Sequence, residues 1–313
     1  MPKIYISTQS DVELLADCAL INASVIITQN FTGTLVLPNL VSVASVSTEP
    51  HSSIAALSLP QLSTVFEDGF IINADNLTTL DLPVLNRSGV VQVYAPALTN
   101  WTGTNMLQNV WVIQIDAHNL TSLEFRNLSS LVQIRVNFTS AEAAQLIIDG
   151  SNPYPPDVWI FGNDKTYLEV WLKTLRSLVA RSCFQIYVDA QTVGYMEISE
   201  NSQLNFLNVS EVNSLGPPVL AYGIDGYATW PPPLAGQTAL YMVNLYPDSL
   251  LIVNNQLSEN IYFPSLTTIQ GSLQVVNGGL GLPEGGIVGE NEFQFPVLRN
   301  VTDSILIEGY VSG

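Results

Sequence analysis

A degenerate six-residue motif, apolar-x-apolar-Pro-x-Leu, recurs along the chain at a spacing that few folds accommodate. The copies with a proline begin at Leu35, Leu57, Leu80, Val93, Ile261 and Phe293, and a copy with Arg126 in place of the proline begins at Leu123. Pro38, Pro60 and Pro83 are 22 and 23 residues apart, a period typical of leucine-rich and β-helical repeats. One such repeat cannot bury its apolar side alone, so the period predicts a stack of coils around one continuous core.

Short β-rich runs that end in Asn or Asp lie between the motif copies. Examples are residues 70–73, 112–116, 146–149, 186–189 and 275–277. Their alternating apolar positions predict strands with one inward side, and Asn and Asp are typical of the turns that follow strands. We therefore expect two or three short strands in each coil. The proline cannot donate a ladder hydrogen bond, so it is expected at a corner just past a strand.

Two segments have helical patterns. Residues 10–17 follow Thr8, and Asp11 lies three residues after Thr8, which approximates a capping box; this helix would cover the first coil. The second segment, residues 165–181, has apolar side chains at helical spacing, namely Tyr167, Leu168, Trp171, Leu172, Leu175, Leu178 and Val179. Each segment leads through a cysteine into a strand. This repetition predicts either two solenoid subdomains, residues 1–160 and 161–313, or one continuous solenoid with a helical insertion.

Composition excludes several classes of protein. The chain has 313 residues, of which 47% are hydrophobic and only 12% charged, which excludes intrinsic disorder. Nine Lys and Arg stand against 27 Asp and Glu, a formal net charge of −18, so the chain repels nucleic-acid phosphates and anionic membranes. No apolar run reaches the ~18 residues of a membrane span. Cys18 and Cys183 are the only cysteines, and we expect two free thiols rather than a disulfide or a metal site.

The asparagine acceptor motif Asn-x-Ser/Thr is unusually frequent. With 25 Asn and 49 Ser and Thr in the chain, chance predicts about four motifs, and ten occur. This excess favours passage through a glycosylating secretory pathway; the alternative is that Asn and Thr are simply common at solenoid turns. The acceptors are Asn22, Asn30, Asn76, Asn86, Asn100, Asn119, Asn127, Asn137, Asn208 and Asn300.

The spacing of the acceptors predicts rows. Asn30, Asn76 and Asn119 share the context Asn-Phe-Thr or Asn-Leu-Thr and are 46 and 43 residues apart, about two coils each. Asn100 and Asn300 both follow a motif proline by four residues. We expect each set to line one edge of the solenoid.

The main enzyme hypothesis is a β-helical polysaccharide hydrolase or lyase. Hydrolysis requires two carboxylates on one face, and Asp116, Asp149 and Asp189 share a position in the strand–turn pattern. Asn73 occupies the same position, which favours turn capping over catalysis. His51 and His118 lie in polar stretches without a visible nucleophile and are expected to be exposed turn residues. The sequence thus predicts no catalytic residue, no metal site and no cofactor.

A Pro- and Gly-rich stretch at residues 216–236 is the one segment that predicts recognition. It contains Tyr222, Tyr227 and Trp230, and aromatic rings on loops bind sugars or other ligands. The alternative is that these rings pin the loop to the solenoid, because aromatic side chains bury large apolar areas.

The opening helix, Cys18 and residues 20–28 (LINASVIIT), together with repeats such as residues 76–83 (NLTTLDLP), resemble the receptor L-domain superfamily. Within it the chain is most similar to fungal GPI-anchored cell-wall glycoproteins of the extracellular-mutant and sporulation-specific type. The resemblance covers residues 5–140 and 250–310. It implies a right-handed β-solenoid, secretion, heavy glycosylation and a non-catalytic role in cell-wall organisation, with wall polysaccharide or surface proteins as partners.

The chain departs from that family at its ends. Residues 1–7 lack an apolar signal core, and neither a Ser/Thr-rich stalk nor a GPI tail follows the last strand. We expect a mature fragment of a GPI-anchored precursor, trimmed at both ends; the alternative is a cytosolic protein. The expected fold is all-β, a right-handed parallel β-solenoid with one capping and one internal helix. A structural or adhesive surface glycoprotein is the leading functional hypothesis, followed by a carbohydrate-binding module and a carbohydrate-active enzyme.

Overall fold

The chain folds as a parallel β-solenoid. The computed structural model describes residues 1–138, 143–201, 204, 206–209, 211–215, 248–253, 261–277 and 293–309. The strands are β1 (Lys3–Ile6), β2 (Leu20–Ile27), β3 (Gly33–Val36), β4 (Ser42–Thr48), β5 (Ile54–Ser58), β6 (Thr64–Asn73), β7 (Thr79–Asp81), β8 (Arg87–Tyr94), β9 (Asn100–Thr102), β10 (Asn109–Asp116), β11 (Ser122–Leu128), β12 (Gln133–Asn137), β13 (Ala144–Gly150), β14 (Asp157–Leu172), β15 (Thr174–Val188), β16 (Thr192–Ser199), β17 (Phe206–Asn208), β18 (Ser214–Leu215), β19 (Asp248–Val253), β20 (Ile261–Tyr262), β21 (Thr268–Ile269), β22 (Ser272–Asn277), β23 (Phe293–Gln294), β24 (Asn300–Val301) and β25 (Ile305–Gly309). One α-helix, α1 (Gln9–Leu15), and a 3-10 helix, Thr104–Met106, complete the described elements.

Successive coils stack so that each strand pairs in parallel with its counterpart one coil away. The first sheet runs through β1, β2, β4, β6, β8, β10 and β12 into β14, β15, β16, β19, β22 and β25. The second sheet runs through β3, β5, β7 and β9, and in later coils through β11, β13, β14, β15 and β17. Strands β14 and β15 turn the corner without a break, so each belongs to both sheets. The structure therefore confirms the predicted stack of parallel strands.

Two turns complete each coil. The first turn leads from the first sheet to the second sheet, and the second turn leads on to the next coil. Pro38, Pro60 and Pro83 each lie in the second turn, two residues after β3, β5 and β7. The predicted corner position of the motif proline is confirmed, and its missing N–H costs no ladder hydrogen bond there.

The core fills the space between the two sheets. Alternate side chains of each strand point inward, and inward residues of successive coils form columns because the registers match. Leu35, Leu57 and Leu80 lie opposite one another in β3, β5 and β7, and each is at most 1% exposed. Trp101 takes the same position in β9. The motif leucines are thus the rungs of one apolar column.

Helix α1 covers the start of the stack. Thr8 is its N-cap, and Asp11 accepts hydrogen bonds from the backbone N–H groups of Ser7 (2.9 Å) and Thr8 (2.8 Å). These bonds lower the pKa of the Asp11 carboxyl below its ordinary value. Val12 is buried against the core. The predicted capping box and capping helix are confirmed.

The predicted helix over residues 165–181 is wrong, because these residues form the end of β14 and the start of β15. Leu168 and Leu172 are four residues apart, a spacing that fits one helical turn and also two strand repeats. The residues between them decide: Thr166 and Val170 are buried as well, whereas Tyr167 points outward. The backbone of this segment pairs in parallel with β13 on one side and with β15 on the other, as in the interior of a sheet. The second helix–cysteine–strand unit therefore does not exist.

The register of one motif copy also differs from the prediction. Residues 93–98 read as a motif copy, but Val93 and Tyr94 end β8 in the first sheet. Pro96 consequently lies in the first turn, opposite to the turn that holds Pro38, Pro60 and Pro83. The motif Val-x-Ala-Pro-x-Leu fits either turn, because each turn follows a strand whose last residues include an inward-facing apolar side chain.

The coils continue across the middle of the chain. Residue 160 lies inside β14, which pairs with β12 and β13 on one side and with β15 on the other. The hydrogen-bonded ladder therefore passes unbroken through the boundary drawn between residues 1–160 and 161–313.

Both cysteines are free thiols, as predicted. Cys18 is half-buried before β2, whereas Cys183 is fully buried in β15. Burial, with a smaller contribution from Asp164, raises the pKa of the Cys183 thiol to about 12. The Cys183 thiol is thus held protonated, which makes it a poor nucleophile in the folded chain.

Candidate functional site

All ten acceptor asparagines lie outside the apolar core. Three are half-buried: Asn86, Asn137 and Asn208. The other seven are exposed: Asn22, Asn30, Asn76, Asn100, Asn119, Asn127 and Asn300. An N-linked glycan is bulky and needs a surface position. The seven exposed asparagines meet this requirement, and the three half-buried ones meet it in part.

Asn30, Asn76 and Asn119 lie along one edge of the solenoid. Each is in the first turn, after β2, β6 and β10 respectively, so two coils separate neighbours. Each also precedes a buried apolar residue, namely Phe31, Leu77 or Leu120. Since the coil repeat is about 4.8 Å, neighbouring acceptors are about 10 Å apart. The predicted row of these three asparagines is thus present in the fold.

The first turns that hold these asparagines are hydrogen-bonded to one another. Backbone bonds tie successive first turns together: the N–H of Ala74 donates to the carbonyl of Tyr94, and the N–H of Ala95 donates to that of Asp116. The Asn119 side chain donates to the carbonyl of Pro96 in the preceding coil (3.0 Å). The row therefore rests on a rigid backbone ladder.

The second predicted row does not exist. Asn100 begins β9 in the second sheet, whereas Asn300 begins β24, which belongs to the first sheet through β21 and β18. The two acceptors share a spacing from Pro96 and Pro296, but those prolines lie in opposite turns.

The three aspartates of the enzyme hypothesis do not share a column. Asp116 ends β10 in the first sheet, in register with Tyr94 and Asn137. Asp149 lies in β13 of the second sheet beside Trp171, and Asp189 follows β15 on the other side of Trp171, two coils from Asp149. The predicted common repeat position therefore holds for Asp149 and Asp189 and is wrong for Asp116, because the strand–Asp pattern occurs at the ends of both sheets.

The two histidines lie at surface turns. The His51 imidazole is 3.0 Å from Asp75, with both side chains well exposed, and the His118 imidazole is 3.3 Å from Asp116. Exposed pairs of this kind contribute little to stability. Among the described residues, no group of three His, Cys, Asp or Glu side chains could hold a metal ion. The predicted aromatic loop with Tyr222, Tyr227 and Trp230 lies outside the described residues.

A surface with exposed aromatic rings, which the sequence analysis missed, lies on the second sheet. The outward side chains of β13, residues 166–172 of β14, and β15 with the residue after it form what we call the acidic aromatic face, whose members are Asp149, Tyr167, Glu169, Trp171, Tyr187 and Asp189. Tyr167 is 37% exposed and Trp171 is 38% exposed. Such large exposed rings on a rigid sheet are typical of binding surfaces.

The rings are held in place by neighbouring side chains. The indole N–H of Trp171 donates to Glu169 Oε2 (3.2 Å), and the ring centroids of Trp171 and Tyr187 are 4.7 Å apart. Phe184 is the extra residue of a β-bulge, because Thr166 pairs with Cys183 while Tyr167 pairs with Gln185. Its ring meets Tyr167 edge-on, at 5.5 Å between centroids. The face is therefore preorganised.

The face carries negative charge. Partial burial, and after it the carboxylates of Asp189, Glu211 and Glu169, raise the pKa of Tyr187 above its ordinary value. No Lys or Arg occurs in β13, residues 166–172, residues 183–188 or β17, although Lys165 and Lys173 flank the end of β14. The rings thus lie in a field of carboxylates.

The first sheet carries arginines in the same coils, and two of them are paired with carboxylates. Arg135 and Arg181 lie on either side of Phe161, with guanidinium carbons 5.2 and 5.8 Å from its ring centroid. Arg181 pairs with Glu197 (2.7 Å), and Arg176 pairs with the buried Asp157. In these coils Arg135, Arg176 and Arg181 lie on the first sheet, whereas β13, residues 166–172 and residues 183–188 of the second sheet contain no Lys or Arg.

The sequence analysis missed the acidic aromatic face because it assigned a helix to residues 165–181. A helix buries Tyr167 and Trp171 with the leucines, whereas a strand separates the outward rings from the inward Leu168 and Leu172. In the sequence, Leu168, Val170 and Leu172 alternate with other residues, a period of two that is typical of a strand but shares Leu168 and Leu172 with the helical pattern.

No protein-family model, curated protein or solved structure matches this chain. The resemblance to the receptor L-domain superfamily therefore stays a prediction. In the described part of the chain, no helix combines the length and the apolar character that a membrane crossing requires.

Proposed function

We propose that the chain is an extracellular, N-glycosylated surface protein with a structural or adhesive role in a cell wall or at a cell surface. The observation that carries this proposal is the row of Asn30, Asn76 and Asn119, all exposed and all in the first turn of alternate coils. A GPI anchor on the full-length precursor belongs to the same proposal.

A glycan row suits the physical needs of such a protein. The surface is poor in Lys, and β-solenoids are prone to edge-to-edge association, which bulky hydrophilic groups prevent. The stacked sheets give a rigid rod, and repeat architectures present extended binding surfaces. The proposed role is non-catalytic. Of the three aspartates of the enzyme hypothesis, Asp116 lies on the first sheet, while Asp149 and Asp189 lie on the second sheet two coils apart, about 10 Å, with Trp171 between them.

Site-resolved glycopeptide mapping of protein secreted from a eukaryotic host tests the proposal. We expect glycans on at least two of Asn30, Asn76 and Asn119, and lower occupancy at the half-buried Asn86, Asn137 and Asn208. Substituting Gln at the three row positions should remove the corresponding glycans and increase self-association at high concentration. If all three row positions are unmodified in secreted material, the glycoprotein proposal is wrong.

A second candidate function is carbohydrate binding. The acidic aromatic face supports it, because Tyr167 and Trp171 remain 37% and 38% exposed on a rigid sheet and give it an apolar contact area for a ligand. The sequence analysis placed this function on the loop with Tyr222, Tyr227 and Trp230, and the described residues offer a different surface for it.

A further inference from the structure

We infer that the first N-acetylglucosamine of a glycan on Asn100 packs into a cleft in the second sheet, where the indole N–H of Trp101 binds it. This inference rests on the proposed glycosylation. It gives a structural role to an acceptor that lies outside the row of Asn30, Asn76 and Asn119, whereas the cleft itself is a property of the fold.

The cleft lies where the second sheet is interrupted. Strand β9 pairs with β7, and β11 pairs with β13, but within residues 100–128, all of which the structure describes, no bridge joins β9 to β11. After three residues of β9, Gly103 adopts a φ of 88° and the chain enters the 3-10 helix. The Thr104 hydroxyl then accepts a hydrogen bond from the backbone N–H of Glu124 (3.3 Å), in place of a strand partner. The two coils thus stay joined in the first sheet, through β8 and β10, and part in the second.

The interruption turns backbone groups toward the cleft. In a parallel ladder the N–H and C=O of one residue point to the same neighbouring strand, and the direction alternates along the chain. The N–H of Asn100 donates to the carbonyl of Thr78, and the carbonyl of Thr102 accepts from the N–H of the residue after β7. Asn100 and Thr102 therefore face β7, and Trp101 between them turns its N–H and C=O toward the cleft. Backbone groups need polar partners, so the cleft suits a polar ligand.

The size and lining of the cleft fit one neutral sugar. Its volume is about 250 Å³, below the ~300–1,000 Å³ of pockets for drug-sized ligands, so it accommodates a single ring rather than an oligosaccharide. Glu124 also lines the cleft, but it is already paired with Arg126 (3.0 Å), which removes a preference for a charged ligand. The uncharged polar residues of the lining are Thr99, Asn100, Thr104, Asn105, Thr121 and Ser122.

Trp101 brings a hydrogen-bond donor to this cleft. In the preceding coils the same core position holds Leu35, Leu57 and Leu80, which have no polar side-chain atom. Trp101 is only 7% exposed and lines the cleft, and its indole Nε1 is buried without a hydrogen-bond partner among the described residues. A buried indole N–H normally has a partner, because leaving it unpaired is costly. An acceptor group of a ligand in the cleft would satisfy this donor.

Asn100 determines which ligand reaches the cleft. It is the exposed acceptor of the motif Asn100-Trp101-Thr102, and it belongs to the lining itself. N-linked glycans begin with N-acetylglucosamine, whose hydroxyl and acetamido oxygens can accept a hydrogen bond from the indole N–H. Because this sugar is attached covalently beside the cleft, its effective concentration there is high, and a few hydrogen bonds are enough to hold it.

The experiment is nuclear magnetic resonance of the full chain, secreted from a eukaryotic host with isotope-labelled tryptophan and trimmed enzymatically to a single N-acetylglucosamine at each occupied site. Trp101→Phe assigns the indole resonance of Trp101. We expect nuclear Overhauser contacts between this indole N–H and the sugar on Asn100, and hydrogen exchange of the N–H about tenfold slower than in Asn100→Gln. The indole of Trp111, which is 40% exposed on the first sheet, should exchange equally fast in both proteins.

Thermal unfolding of glycosylated variants measures what the packed sugar contributes. Asn100→Gln should lower Tm by about 2–4 °C, whereas Asn30→Gln, which removes a glycan from an exposed turn, should change it by less than about 1 °C. In a Trp101→Phe background the effect of Asn100→Gln should fall to that of Asn30→Gln, because the donor for the sugar is gone.

The outcomes separate this inference from the glycoprotein proposal. Glycans on the row with none on Asn100 would overturn this inference alone. So would an occupied Asn100 whose sugar neither contacts the Trp101 indole nor slows its exchange, or an Asn100→Gln effect on Tm that is the same with Trp101 and with phenylalanine at that position. Absence of glycans from every acceptor would refute the glycoprotein proposal together with this inference.

Discussion

Replacing Phe125 with alanine is expected to lower the free energy of unfolding by about 3–5 kcal/mol. Phe125 is 0% exposed in the middle of β11 and faces inward, opposite Ile148 of β13. The ring is one of the largest fully buried side chains. Its removal forfeits apolar burial and leaves a cavity that the hydrogen-bonded ladders on both sides prevent from collapsing. Urea unfolding followed by circular dichroism measures the loss.

Ser122→Ala is the matched control for this substitution. Ser122 begins the same strand and is exposed, so its replacement should change stability by no more than about 0.5 kcal/mol. If Phe125→Ala costs as little as Ser122→Ala, β11 does not face a shared core between two sheets.

Replacing Gly103 with alanine is expected to lower the free energy of unfolding by about 2–4 kcal/mol, as the sum of a backbone strain and a steric overlap. A second glycine, Gly33, allows the two contributions to be measured separately. Gly103 has φ +88, and a Cβ atom there would lie 2.1 Å from the carbonyl oxygen of Leu82 in the preceding coil. Gly33 has a similar φ of +95, but nothing lies within 4 Å of its added Cβ. Gly33→Ala should therefore show only the backbone strain, about 1 kcal/mol, while Gly103→Ala adds about 1–3 kcal/mol of overpacking.

Thermal unfolding of the two alanine variants compares these costs directly. The expected order is wild type, then Gly33→Ala, then Gly103→Ala, with the larger step at Gly103. Equal costs at both positions would mean that the coil containing Leu82 does not press against the chain at Gly103, contrary to the stacking seen here.

The coil architecture could be predicted because it depends on sequence signals that are local. A proline that cannot enter a ladder marks a corner each time it recurs, and Pro38, Pro60 and Pro83 recur at the length of one coil. The Thr8 capping box is equally local. The row of Asn30, Asn76 and Asn119 followed from the same period, since positions two periods apart must share an edge.

The acidic aromatic face could not be predicted in the same way, because it depends on contacts between coils. Strands and helices both place Leu168 and Leu172 on one side, and only pairing of residues 166–172 with β13 and β15 fixes the strand. The same limit explains the register error at Pro96. A sequence pattern shows that a strand ends there but not which of the two sheets the strand belongs to.

The row of acceptors along one edge is the claim on which the account depends, and a distance measurement tests it most directly. Spin labels would be placed by Asn30→Cys and Asn119→Cys in a Cys18→Ser background, with Cys183 buried and unreactive. Four coils of about 4.8 Å separate these positions, so electron paramagnetic resonance should give a backbone separation of about 19 Å. Labels at positions 76 and 119 should be about half as far apart. Equal separations for the two pairs, or a value for 30 and 119 more than about twice the expected one, would contradict the stacked row.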